Sequence, residues 1–267
     1  MSKRPFVRGK RGTYVSAPKE ERRTSKTGWD EMAPWYAGWA GGGSTFHKQF
    51  AIPAVVEALT AARPKGGALA VIDLGCGLGV LREAVEKLGG TYTGVDKSPT
   101  MIREAKRKGG KAQFYISDVA RPGGVALPVT EKYDRAVFMF SIQDVDDHRA
   151  AFKNAAALLK SGGELVVFMV HPAFRIPRQS GWGTDPKRKL TYRRIDRYKS
   201  EVTIPLPQRT GDTQTTSFFY HRSLESYMGA LRDAGFVVAD LREIYSGTKD
   251  AETEFPHFML IRAKVVR

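Results

Sequence analysis

The pattern of apolar and polar positions changes character four times along the chain. Up to residue 28 it shows no apolar period. From there Trp29, Met32, Trp35, Tyr36 and Trp39 recur at helical spacing until Gly41-Gly-Gly-Ser44 breaks the chain. Residues 46–62 continue as an amphipathic helix, with Pro53 an expected kink in its second or third turn. From Ala68 short apolar runs alternate with helical ones. Strands are predicted at Ala68–Leu74, Thr91–Val95, Ala112–Ile116, Arg135–Phe140 and Glu164–Val170. Helices are predicted at Gly79–Leu88, at Pro99–Arg107 behind a Ser98 cap, and at Asp144–Lys160, ended by Ser161-Gly-Gly163. The alternation then stops. Residues 172–220 are rich in Arg, Pro, Gly, Thr and aromatics, with weak strand character at Leu190–Arg197, Glu201–Leu206 and Thr215–Tyr220. So long an interruption inside a compact domain usually serves a purpose. A helix at Ser223–Ala234 and strands at Phe236–Ile244 and His257–Val265 close the pattern. Strands alternating with helices imply right-handed βαβ units and a parallel sheet.

A length of 267 residues suits one sizeable α/β domain with an appendage. No run approaches the ~20 apolar residues of a membrane span. The start, Met1-Ser-Lys-Arg-Pro-Phe-Val-Arg, lacks an apolar core, so no secretory signal is read. Cys76 is the single cysteine, which agrees with a reducing, cytoplasmic location. The net charge of +15 is unevenly placed. Residues 1–26 hold nine Lys/Arg against two Glu, and residues 172–200 hold nine against two Asp, leaving the rest near neutral. Such segments suit phosphates, RNA or another polyanion; a solvated tail and flap fit equally. The arm 1–28 is expected to be disordered.

Candidate chemistry gathers at strand ends. Asp73-Leu-Gly75-Cys76-Gly77-Leu-Gly79 joins the first strand to the first helix, where glycines let a ligand approach backbone N–H groups. A dinucleotide loop would read Gly-x-Gly-x-x-Gly, but here the third glycine comes one residue early. Asp73 beside the loop is awkward for a pyrophosphate and suits a cationic amino group. Asp96, followed by Lys97, ends the second strand and can accept from both hydroxyls of a ribose. Asp118, followed by Val119, ends the third and can accept the exocyclic amine of an adenine. Turn or cap chemistry is the plainer reading of these two acids.

In this order the motifs resemble the class I S-adenosylmethionine (SAM)-dependent methyltransferases over roughly residues 68–170. Met101-Ile102 after Ser98-Pro99 matches that family's second loop. The resemblance implies a Rossmann-like α/β fold: a seven-stranded sheet with its last strand antiparallel, and helices on both faces. It implies SAM as cofactor, with Asp73 by the methionine part, Asp96 on the ribose and Asp118 on the adenine. Residues 29–267 would form the one domain, with 172–220 as a substrate lid.

The acceptor side is less explicit. Ser141, Gln143 and Asp144 follow the fourth strand and would face the transfer site, although Asp144 could equally cap the next helix. No Asn/Asp-Pro-Pro-Tyr/Phe motif stands there, which argues against DNA adenine methylation. His171-Pro-Ala-Phe174 looks like the His-Pro-Cys-Phe segment of a bacterial methyltransferase subgroup, with Ala173 in place of the cysteine. His171 is therefore the first candidate general base and His221 the second; each could be purely structural. Tyr36 and His47 are candidates to close over SAM, or else to pack into the core. No metal is expected. The leading expectation is methyl transfer to O or N of a small molecule, with RNA as the alternative acceptor and a non-catalytic SAM-fold scaffold as a third reading.

Overall fold

The computed structural model describes residues 28–33, 36, 46–61, 67–128, 132–210, 213–246 and 253–266. The basic arm 1–28 therefore lies outside the described residues except for Gly28, which is buried. Trp35 and Trp39 lie outside them as well. Among the described residues the strands are β1 (Ala70–Leu74), β2 (Thr91–Asp96), β3 (Gln113–Ile116), β4 (Tyr133–Met139), β5 (Leu159–Val170), β6 (Ser180–Asp185), β7 (Leu190–Ile195), β8 (Val202–Thr210), β9 (Thr213–His221), β10 (Phe236–Ile244) and β11 (Phe258–Val265). The longer helices are α1 (Ile52–Thr60), α2 (Arg82–Lys87), α3 (Pro99–Arg107), α4 (His148–Leu158) and α5 (Leu224–Asp233).

Seven strands make one sheet in the order β10-β11-β5-β4-β1-β2-β3. The first five pair in parallel, and β11 runs antiparallel to both β5 and β10. This is the sheet expected from the sequence. Alternate side chains supply two cores, so these strands read as unbroken apolar runs. Ile72, Phe138 and Val167 pack toward α4 and α5, against Phe152, Tyr227 and Leu231. Val71, Val137 and Phe168 point the other way, toward Val55 and Leu59 of α1, Val85 of α2 and Ile102 of α3. The chain moves outward from β1 to β3, then returns to the other side of β1 with β4. That reversal opens a crevice at the carboxyl ends of β1 and β4, where open α/β sheets bind ligands.

Several boundaries differ from expectation, each for a local reason. The first long helix meets Pro53 at the start of its α-helical part. It opens as a π-turn, His47–Ala51, in which the Ile52 N–H donates to the His47 carbonyl. Pro53 has no N–H to give to Gln49, so the wider turn just before it replaces the missing bond. Helix α2 begins only at Arg82, because residues 77–81 form turns around the glycines. Helix α4 is capped by Asp147, whose side chain accepts from the Ala150 N–H; Asp144 is not the cap. Ser161-Gly-Gly163 does not end a helix but bulges within β5, since Leu159 already pairs with Tyr133.

The interruption at 172–220 is built from two hairpins, β6–β7 and β8–β9, which form sheets of their own. Strand β6 carried no clear sequence signal: Ser180-Gly-Trp-Gly-Thr-Asp185 alternates weakly. No helix among the described residues is long and apolar enough to cross a membrane.

Candidate functional site

The turn after β1 is shaped by close contacts. Gly75 has φ of 73°, and a Cβ on it would lie 2.6 Å from Cβ of Ser141. The Ser141 hydroxyl in turn donates to the Leu74 carbonyl at 2.6 Å. The loops after β1 and β4 are thereby locked together across the crevice. Both the Gly75 and Cys76 N–H groups donate to the Val95 carbonyl, which ties the turn to β2. Asp96 completes this frame. Its carboxylate accepts from the Gly77 N–H and from the Ser98 N–H, each at 2.9 Å.

A cavity opens over this frame. Its walls include Tyr36, His47, Asp73, Gly75, Cys76, Gly77, Asp96, Lys97, Met101, Asp118, Val119, Ser141 and Asp144. Thirteen residues singled out from the sequence thus meet in one place. Trp29, Val80, Met139, Phe140, Val145 and Asp146 also line it and were not anticipated. Helical spacing could have flagged Trp29. Phe140 has no such signal: it holds φ of 58°, unusual for an aromatic residue, and its ring stacks edge-on to Phe168, Phe258 and His47.

Three expected site residues lie elsewhere. His171 is almost fully buried outside the cavity walls; its Nε2 lies 3.0 Å from Glu243, and its Nδ1 accepts from the Ala173 N–H. Val170, one residue earlier, faces an adjoining cavity, and along an extended chain the next side chain points away. His221 lies at the end of β9, with its ring bonded to the Tyr198 carbonyl at 2.8 Å. Gly79 has its missing Cβ filled by Phe114, so it serves packing and does not line the cavity.

A second cavity, of about 510 Å³, adjoins the first. Residues 172–220 contribute Arg175, Ile176, Pro177, Ser180, Arg193 and Phe219 to its walls, among others. Trp29, Tyr36, His47, Phe140 and Asp144 line both cavities and so mark their junction. There the Tyr36 hydroxyl lies 3.0 Å from His47 Nε2. Gln143 donates to the Phe140 carbonyl, while its Oε1 is buried without a hydrogen-bond partner among the described residues. Arg222 donates to the Val145 and Asp146 carbonyls at 2.7 Å, fixing the loop after β4 to the end of the hairpins.

Burial governs the charges. It pushes Asp144 up to about 8, offset in part by Lys97. It pushes Asp73 up to about 7, although a hydrogen bond from the Tyr92 hydroxyl opposes the shift. It holds His47 down at about 4, hence neutral. Carboxyl pKa values raised by folding give stability that is full below about pH 4 and is lost as pH rises through the folded values. The ligand-free protein is therefore expected to lose stability between about pH 4 and 8, by up to roughly 5 kcal/mol for Asp144 alone. Thermal unfolding followed by circular dichroism should show Tm falling over this range. Asp144→Asn should flatten the fall and exceed the parent in Tm at pH 8.5; parallel curves would contradict the assignment.

The residues fit a SAM-shaped ligand on one observation above all. Asp73 lines this cavity, and its Oδ1 is buried with no hydrogen-bond partner among the described residues. A buried, lone carboxylate oxygen is costly unless a cation meets it.

Comparison with known proteins agrees. Residues 72–167 match the model of a methyltransferase domain family. A ubiquinone biosynthesis O-methyltransferase of Coxiella burnetii is 33% identical over 105 residues, which cover 39% of this chain and 45% of that protein. The chain spans less than half the length of the curated relatives it matches. A SAM-dependent methyltransferase from Mesorhizobium loti superposes with a TM-score of 0.61 at 24% identity, covering 80% of this chain and 99% of that one. A SAM-bound amino pentose methyltransferase from Micromonospora echinaspora gives 0.56 at 17% identity, over 86% and 96% of the two chains. These structural likenesses speak for the fold. The sequence match falls on the strands that carry the glycine turn and its three acids, and over residues 72–167 the chain is similar to that methyltransferase domain family.

Proposed function

We propose that the protein transfers a methyl group from SAM to an oxygen or nitrogen of a small molecule bound beneath residues 172–220, which act as a lid. The observation that carries this reading is the junction of the two cavities at Tyr36, His47, Phe140 and Asp144. In this reading Asp73 receives the amino group, Asp96 the ribose, and Asp118 with Val119 the adenine. Bound SAM supplies an electrophilic methyl: the acceptor's lone pair bonds to its carbon as the carbon–sulfur bond breaks and that pair stays on sulfur. The chain aligns the acceptor and excludes water, and alignment alone is worth roughly 7–11 kcal/mol. Where the acceptor keeps a proton, Asp144 is the group placed to take it, in the stead of His171. The amino pentose and ubiquinone enzymes named above set the precedent for small acceptors.

A second reading, RNA as acceptor, rests on the β6–β7 hairpin, which exposes Trp182 and Tyr192 beside Arg188, Lys189 and Arg194. One experiment separates the two. Incubation with methyl-labelled SAM and cell extract is expected to place label in the low-mass fraction. Label in ribonuclease-sensitive material would favour RNA, and no incorporation at all would reject transfer.

A further inference from the structure

Resting on the reading above, we propose that the acceptor carries an acidic group, a carboxylate or a phosphate, and that Arg175 and Arg193 hold it. Both arginines line the second cavity. The Arg175 guanidinium lies over the rings of Phe46 and Phe258, at 5.7 and 5.8 Å from their centres. Among the described residues no carboxylate or carbonyl accepts from it. Arg193 donates to the Phe174 carbonyl at 2.8 Å and to the Ser180 hydroxyl at 3.0 Å, and lies over Trp182. It too has no acidic partner among them. Burial lowers the pKa of both arginines, and the charge of Arg193 lowers that of Arg175 further.

The chain treats a purely structural arginine differently. Buried Arg135 is given Glu164 at 3.6 Å. Among the described residues the second cavity holds two arginines, and the one acid lining it is Asp144, at the junction with the first cavity. Gathering like charges at a half-buried site without a counter-ion is unfavourable, and an entering anion relieves that. Planar guanidinium groups also match carboxylate and phosphate oxygens in shape.

The rest of the cavity defines the acceptor further. Phe46, Phe219 and Phe258 offer an apolar bed beside Arg175. The unpartnered Gln143 Oε1 offers one acceptor for an O–H or N–H near the junction. The fitting molecule is an acid with an apolar body, its anionic end at Arg175 and its nucleophile toward Asp144.

Calorimetric titration can test this with benzoate, phenyl phosphate and neutral benzamide, each with and without S-adenosylhomocysteine. At least one of the two acids is expected to bind about ten-fold or more tighter than benzamide. Arg175→Met and Arg193→Met should each erase most of that preference, and Arg175→Lys should keep part of it. S-adenosylhomocysteine affinity within about two-fold of the parent in each variant would show the fold intact. Equal binding of acids and amide, no binding of any probe, or a preference that survives both methionine variants would overturn the proposal. Failure of the parent to bind S-adenosylhomocysteine would instead reject the methyltransferase reading, while the acid preference is still read on the unloaded protein.

Discussion

Asp96→Ala is expected to weaken SAM binding by at least about 100-fold, a loss of roughly 2.7 kcal/mol or more. The residue has two jobs. As a proposed ribose partner it would give hydroxyl contacts, and charge-assisted hydrogen bonds are worth roughly 1.5–3 kcal/mol each. It also accepts the Gly77 and Ser98 N–H groups, so its loss frees the glycine turn from the loop after β2. Asp96→Asn keeps one acceptor oxygen but turns an N–H donor toward one of those backbone N–H groups, so it should bind nearly as poorly as the alanine variant. Calorimetry with SAM, alongside thermal unfolding, provides the measurement. An Asp96→Ala protein that binds SAM like the parent would remove the ribose assignment and with it the proposed cofactor pose.

Gly75→Ala is expected to cost about 2–5 kcal/mol of stability, from two separate sources. A non-glycine residue at φ of 73° loses roughly 1–2 kcal/mol. The added methyl would also sit 2.6 Å from the Cβ of Ser141, so the loops after β1 and β4 must part, at roughly 1–3 kcal/mol. The double variant Gly75→Ala with Ser141→Gly should recover the steric part and leave the backbone part. Denaturant unfolding of the two single variants and the double variant yields the split. A double variant no more stable than Gly75→Ala would show that the contact with Ser141 is not the source.

The sequence spoke most clearly where one residue type answers one local demand. Asp73 and Asp96 could be placed because apolar runs mark their strands and glycine or Ser-Pro punctuation marks where each strand stops, and Asp118 because it follows the third such run. The cofactor wall could then be assembled from neighbours of known parity. The same reasoning failed at His171. Its position at the end of β5 was right, but the pleat decides which side of the sheet a residue serves, and Val170 took the cavity side. Alternation also could not locate Phe140, since a left-handed phenylalanine looks like any strand-end aromatic. At Pro53 the missing N–H was noticed, but the chain's answer was a wider turn. The hairpins at 172–220 were half-visible because their side chains bury only one face, against a small cluster around Ile176, Ile204 and Phe219.

The clasp made by Arg222 links two parts of the molecule that the sheet topology keeps separate. The chain departs from the sheet after Val170 and is returned to it at α5, so everything between can be exchanged as a cassette while strand order and cofactor frame stay unchanged. Arg222, gripping the Val145 and Asp146 carbonyls from the cassette's end, is the fixed point any replacement must honour.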